Sequence, residues 1–195
     1  MSPEAFINFF IPLFFIIAII VAIFNKSKEK EALKILGTSL NGHVVKYSLI
    51  PRFEGVYQAI NYSIFLSPGE SKSEKNSLSI SFFKKPTFVL RITKENILTE
   101  IVQKIKSTCE IKIGDAEFDK NYFIKTDQKE RATSYLNNSS IKQIINELFN
   151  QGFDEISFDK EKIFIQKPNY DLMKDITPAN ISKILEYLSI LSQGT

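Results

Sequence analysis

Asp115, Glu117, Asp119 and Asp127 crowd one short stretch, GDAEFDKNYFIKTDQKERATSYL, running from Gly114 to Leu136, with Phe118, Phe123 and Ile124 threaded between them. Carboxylates so close together could bind a metal or move protons. A calcium loop needs acids at alternating positions, a glycine sixth and a glutamate twelfth. Counted from Asp115, Glu117 and Asp119 fit, but the sixth residue is Lys120 and the twelfth is Thr126, so the ligand rule fails. General acid–base work needs two carboxyls whose surroundings drive their pKa values apart. Alternation would put Asp115, Glu117 and Asp119 on one face of a strand, with Lys112 and Lys120 off that face. These three are the acidic candidates, although a solvated strand face reads the same way. A scaffolding reading accounts for more of the stretch. Phe118 and Phe123 would anchor a strand FDKNYFIKT, and Asp127 stands where a helix should start, with Glu130 three positions on. That is the spacing of a capping box, the Asp accepting from first-turn amides and the Glu reaching back, worth about 1 kcal/mol.

The remaining reactive side chains are sparse. His43 is the only histidine and Cys109 the only cysteine. One of each cannot supply a His/Cys zinc site within a single chain. A Cys–His dyad would require the two to meet around a thiol of lowered pKa. Cys109 lies in the apolar-alternating run TCEIKI, which predicts a buried structural thiol. The seven glycines are scattered, with no Gly-Lys-Ser/Thr phosphate loop and no Gly-x-Ser-x-Gly elbow. No cofactor and no metal is predicted, no catalytic residue is assigned, and an enzyme is the less favoured class.

The elements that would position these groups begin with an apolar run, FINFFIPLFFIIAIIVAIF, from Phe6 to Phe24. Its nineteen residues would span roughly 28 Å as a helix, close to the hydrocarbon thickness of a bilayer. A cleaved signal peptide would need a positive n-region and a small-residue cleavage site, whereas MSPEA carries Glu4 and FNKSKEKE offers no such site. The reading is an uncleaved single-pass anchor over 1–25. Lys26, Lys28, Lys30 and Lys34 follow it and no lysine precedes it, so the positive-inside rule places the C-terminal part in the cytoplasm. The same lysines are candidate membrane-surface contacts, each attracted to anionic head groups by about 1 kcal/mol. A lone cysteine agrees with a reducing compartment.

Net charge is +3 over 195 residues, and the lysine run supplies most of it, so there is no electrostatic footprint for nucleic acid. Residues 26–41 read as a charged juxtamembrane linker, partly helical and ending near Gly37. Residues 42–195 read as one α+β domain, an antiparallel sheet with packed helices. Val45, Tyr47 and Leu49 alternate, as do Val56, Ile60, Tyr62, Ile64 and Leu66, with PRFEG as the turn between them. LSISFF and TFVLRIT, joined through KKP, complete a four-strand meander with one buried face. Ile97, Ile101 and Ile105 mark a helix over 94–106, CEIKI is a short strand, and Ile141, Ile144, Ile145 and Leu148 stripe a helix capped near Asn138 and stopped at Gly152. FDEISFDKEKIFIQKP reads as a hairpin turning at Asp159 to Lys162. A last helix opens at Thr177 with Pro178 in its first turn.

The acidic stretch and the hairpin together resemble a family of bacterial membrane-anchored domains of unknown function. The matching positions are Glu117, Phe118, Asp119, Phe123, Ile124, Asp127, Ala132 and Leu136, and the likeness spans the C-terminal third to half. It implies a membrane-tethered cytoplasmic α+β domain and carries over no catalytic residue. The expected function is therefore a single-pass anchored interaction or structural module, an accessory subunit of a larger membrane complex, whose partners are the bilayer and a protein or a second copy. Exposed rings among Tyr57, Tyr62, Phe82 and Phe83 would mark its docking surface. The alternatives are a membrane-surface enzyme using Asp115, Glu117 and Asp119, and a peripheral sensor of anionic lipid using Lys26 to Lys34.

Overall fold

The computed structural model describes residues 27–45, 51–67, 76–94 and 109–194. The apolar run at 6–24, Lys26, residues 68–75 and most of the helix expected over 94–106 lie outside the described residues. Among the described residues no helix is long and apolar enough to cross a membrane.

The chain is α+β. Helix α1 covers residues 27–39. The strands are β1 (Gly42–Val44), β2 (Arg52–Tyr57), β3 (Ile60–Ser67), β4 (Ser77–Phe82), β5 (Leu90–Lys94) and β6 (Cys109–Ile111), then β7 (Tyr122–Thr126), β8 (Glu155–Phe158) and β9 (Ile163–Pro168). The further helices are α2 (Ala116–Asn121), α3 (Lys129–Leu136), α4 (Ser139–Asn150), α5 (Leu172–Asp175) and α6 (Pro178–Leu191). The nine strands of the described residues form one antiparallel sheet in the order β1-β2-β3-β4-β9-β8-β5-β7-β6.

One register row explains why the sheet holds. Val44, Phe53, Ile64, Ile80, Ile165, Ile156, Ile92, Ile124 and Ile111 are direct cross-strand neighbours from one edge to the other. Branched side chains suit a pleated surface, and all of the row but Val44 is buried. The adjacent row, on the opposite face, runs His43, Glu54, Ser63, Ser81, Phe164, Ser157, Arg91, Lys125 and Glu110. A slip of one residue would exchange the two rows, so burial fixes the register. Ser63 and Ser81 are buried on the second face as well, between the larger Glu54 and Phe164, so this face is not simply solvated.

The helices cover the isoleucine face. Tyr122 stacks on Phe149 of α4 at 4.6 Å, and Tyr135 of α3 meets Phe158 at 5.7 Å. Thr177 caps α6 by accepting from the Asn180 amide, with Pro178 in the first turn, as its sequence predicts. Asn138 caps α4, and Gly152, at φ +96°, ends it. The β8–β9 hairpin turns where expected, Asp159 Oδ1 accepting from the Glu161 and Lys162 amides.

Two expectations are corrected and a third is extended. PRFEG is not a turn but part of β2, with Phe53 fully buried. A further reversal falls at Gln58 and Ala59, inside the run from Val56 to Leu66 expected as one strand; both are at positive φ (49° and 65°), a two-residue hairpin turn made without the usual Asn-Gly. The meander stops at β4: β9 and β8 separate β4 from β5, because β4 pairs with β9 and β5 with β7 and β8. The helix expected within the juxtamembrane stretch is present over residues 27–39, and it is seated on the body. Leu33 and Leu36 are fully buried, and the Tyr170 hydroxyl donates to Glu29 at 2.7 Å.

Candidate functional site

The acidic stretch is not a strand face. Chain direction reverses at Gly114, whose φ of +86° suits glycine, and Asp115 is the N-cap of α2, accepting from the Phe118 amide at 3.2 Å. Its other oxygen takes the Lys142 ammonium at 2.6 Å. Asp119 folds back over the turn, its two oxygens accepting from the Ile113 and Gly114 amides, each at 2.9 Å. Lys112 donates to the Asp119 carbonyl oxygen at 2.9 Å. Glu117 points to solvent. The pattern that looked like alternation is thus a cap, an outward residue and a clamp. Phe118 belongs to α2 rather than to a strand, and it is buried.

This geometry fastens a loop. Hydrogen bonds from Lys142 and the Phe118 amide hold the Asp115 carboxyl below its ordinary range, which suits an acceptor and not a general acid at neutral pH. Asp115 and Glu117 line a polar groove of about 630 Å³ with Asn121, Tyr122, Lys142 and Asn146, and Tyr122 donates to Asn146 at 2.8 Å. Among the described residues, no group of three His, Cys, Asp or Glu side chains is placed to hold a metal.

The capping box at Asp127 and Glu130 does not form. The N-cap of α3 is Gln128, with no side-chain bond, and Asp127 reaches away to accept from the Val89 amide at 2.8 Å. Thr126 donates to the Val89 carbonyl at 2.7 Å, so the two residues clip the loop before β5 onto the end of β7. That loop competes for Asp127 successfully because its amide has no ladder partner there. Glu130 stays exposed in the first turn of α3.

Cys109 is exposed, contrary to expectation, because β6 is the outermost strand and Cys109 is its first residue. His43 sits on β1 at the opposite edge. Eight strand spacings of about 4.8 Å separate the two edges by roughly 38 Å, which excludes a Cys–His dyad within one chain.

Sequence reasoning did not single out Asp154. Burial, with a smaller push from the Glu155 carboxylate, lifts its carboxyl to about 6, against the pull of Lys94 and Arg91. Arg91 itself pairs with Glu155 at 2.7 Å. No pattern in the sequence marks Asp154, since its burial arises from the junction of α4 with β8. The folded-state pKa lies above the unfolded one. Its contribution to stability is therefore complete below pH about 4 and lost as pH rises through about 6. Two units would amount to about 3 kcal/mol, which partial exposure reduces to about 1–2 kcal/mol. Asp154→Asn is expected to match the parent in urea unfolding at pH 4 and to exceed it by that amount at pH 7.5. An equal gain at both pH values would show that ionisation is not the cause.

Lys28, Lys30 and Lys34 are exposed on α1, and Lys26 lies outside the described residues. Between α1 and β1 opens a cleft of about 390 Å³, lined by Lys30, Lys34, Gly37, His43, Val44 and Val45. Of the four rings expected to mark a docking surface, Tyr62 and Phe82 are core residues and Tyr57 is half-buried. Phe83 is 42% exposed and Val56 is 40% exposed, and both border a second cleft over β1 to β3.

No protein-family model matches this chain, and no curated protein sequence does. Its fold is similar to that of a solved transport factor. The crystal structure of the mycobacterial trehalose monomycolate transport factor A, TtfA, superposes with a TM-score of 0.58, covering 87% of this chain and 93% of that one. Sequence identity is 8%, so the likeness is one of fold. The likeness extends over most of both chains rather than one hairpin or helix pair.

Proposed function

We propose that this chain is a single-pass, membrane-tethered accessory module that assists transport at a membrane by docking a protein partner. The fold likeness to TtfA, a transport factor, over 87% of this chain carries the reading. The apolar run at 6–24 supplies the tether, and the lysines that follow it put the α+β body on the cytoplasmic side. The disposition of the acidic residues supports a binding rather than a catalytic role: Asp115 and Asp119 are committed to holding the turn. A function must be argued from a site, and the docking surface favoured here is the exposed apolar pair Phe83 and Val56, with the grooves beside it.

The test is gentle detergent extraction of the tagged full-length protein from its own membrane, followed by native sizing and mass spectrometry. A stoichiometric assembly that is lost in Phe83→Asp/Val56→Asp, with an unchanged thermal melt, supports docking through this surface. A lone monomer would sink the docking reading. Release by alkaline carbonate would sink the tether.

A further inference from the structure

We infer that the cleft between α1 and β1 is a binding site for the headgroup of an anionic phospholipid. The inference rests on the tethered reading above. It begins with how α1 is held. Leu33 and Leu36 are fully buried, and Glu29 accepts from the Tyr170 hydroxyl, so the helix cannot turn about its axis. That setting puts Lys30 and Lys34, one turn apart, on the flank beside the buried stripe, with Gly37 continuing the same line. Both lysines line the cleft, and neither has a carboxylate partner among the described residues. The acids on the same helix do not neutralise them: Glu29 is taken by Tyr170, and Glu31 forms no ion pair among the described residues.

Across the cleft, β1 offers the exposed His43 and the apolar Val44, and Val45 follows directly after the strand. The lining combines apolar surface from Val44 and Val45 with the two lysines. A free phosphate has no use for apolar lining, whereas a phospholipid presents phosphate next to glycerol and the first acyl carbons. Position agrees with this occupant. Lys30 follows Phe24, the end of the apolar run, by six residues, about 9 Å if helical and about 20 Å if extended. The headgroup zone lies just outside the hydrocarbon core, and anionic lipid there attracts lysine. The volume of about 390 Å³ is within the range of small-ligand sites.

The experiment is native mass spectrometry of the full-length chain in mild detergent micelles doped with equal phosphatidylglycerol and phosphatidylcholine. The parent should retain phosphatidylglycerol in preference, and should keep it in tens of millimolar inorganic phosphate. Lys30→Gln/Lys34→Gln should lower retention roughly thirtyfold, the combined effect of two headgroup lysines. Gly37→Leu should lower it with both lysines in place, because a side chain added there meets its first neighbours only at 3.6 and 3.7 Å and grows into the cleft. Unchanged melting of each variant by circular dichroism guards against unfolding. Equal retention of the two lipids, or unaltered phosphatidylglycerol binding in the double-lysine variant, would overturn the proposal. So would displacement by inorganic phosphate, which would leave an anion pocket without a lipid, or an acidic protein whose binding alone follows the lysines. Carbonate extraction separates the two readings. A chain released by carbonate has lost its tether but still reports on the cleft in micelles, and a carbonate-resistant chain that ignores lipid type has lost only the cleft.

Discussion

Asp175→Ala is expected to destabilise the fold by about 3–5 kcal/mol, enough to leave much of the protein unfolded near 37 °C. Asp175 is 4% exposed and sits at the end of α5. One carboxylate oxygen takes the Lys167 ammonium at 2.7 Å, and the other accepts from the Asp171 amide at 2.8 Å. Its backbone carbonyl accepts from Asn180 at 3.0 Å. Lys167, on β9, also donates to the Gln151 carbonyl at the end of α4, at 2.6 Å. Four elements therefore meet on one ion pair, whose side chains keep only 12% and 6% of their exposure. Removing the carboxylate strands an ammonium in that joint. Desolvating a charge costs more than an isolated pair returns, so the damage lies in the orphan and not in the lost attraction. Two further variants separate these terms. Asp175→Asn keeps an oxygen for the Asp171 amide but turns its NH2 toward the uncompensated ammonium, so it should cost nearly as much as Asp175→Ala. Lys167→Met/Asp175→Leu removes both charges and should cost less than Asp175→Ala alone. Urea unfolding followed by far-ultraviolet circular dichroism measures all three. A loss below about 1 kcal/mol for Asp175→Ala would mean that the lysine reaches water.

What could be read along the chain divides by the range of the interactions involved. The cap at Thr177 with Pro178, the Asn138 cap, the Gly152 stop and the Asp159 turn are local devices, each formed within about four residues, and the structure has all of them. Strand order is not local. β4 and β5 are consecutive in sequence, yet β8 and β9, more than sixty residues on, insert between them. Nothing in LSISFF or TFVLRIT announces that. The β2–β3 turn was hidden because Gln58 and Ala59 are not turn formers. The position is held by its surroundings, Ser189 of α6 donating to Gln58 at 2.7 Å. The acidic stretch failed for a different reason. A period of two and a cap followed by a helical turn place the same residue types at the same spacing, and Asp115, with Phe118 rather than a Glu three positions on, caps its helix without the box sought at Asp127. Gly114 directly before it was the available signal. The lysines of α1 were legible as a charge run, but the cleft they border needed β1 to be placed beside them.

Gly55→Ala is expected to cost about 3 kcal/mol, while Gly37→Ala should be neutral or gain roughly 0.5–1 kcal/mol. Both residues flank the joint between α1 and the sheet, and the contrast lies in what a new methyl group meets. At Gly55 it would stand 2.5 Å from the Asn41 carbonyl oxygen and 2.6 Å from the ring carbon and hydroxyl oxygen of Tyr62. Gly55 is the direct cross-strand partner of Tyr62, so the ring lies across a place left open for it. Tyr62 is 1% exposed, burial pushes its phenol up to about 12, and its hydroxyl has no partner among the described residues, so it has little room to swing aside. The Asn41 carbonyl is equally constrained, because it accepts the Val56 amide at 2.8 Å. At Gly37 the nearest atoms, the Gly42 carbonyl oxygen and the Phe53 ring, stand at 3.6 and 3.7 Å, an ordinary contact inside a helix. A second substitution distinguishes the two obstacles at Gly55. Tyr62→Leu added to Gly55→Ala removes the ring but not the Asn41 carbonyl, so it should recover only part of the loss. Full recovery would assign the clash to the ring alone. Asn41 joins α1 to β1, so displacing it also moves the lysine flank relative to Val44 and Val45. Gly55→Ala protein that remains folded is therefore expected to lose lipid preference together with stability, whereas Gly37→Ala, too small to fill the cleft, should keep both.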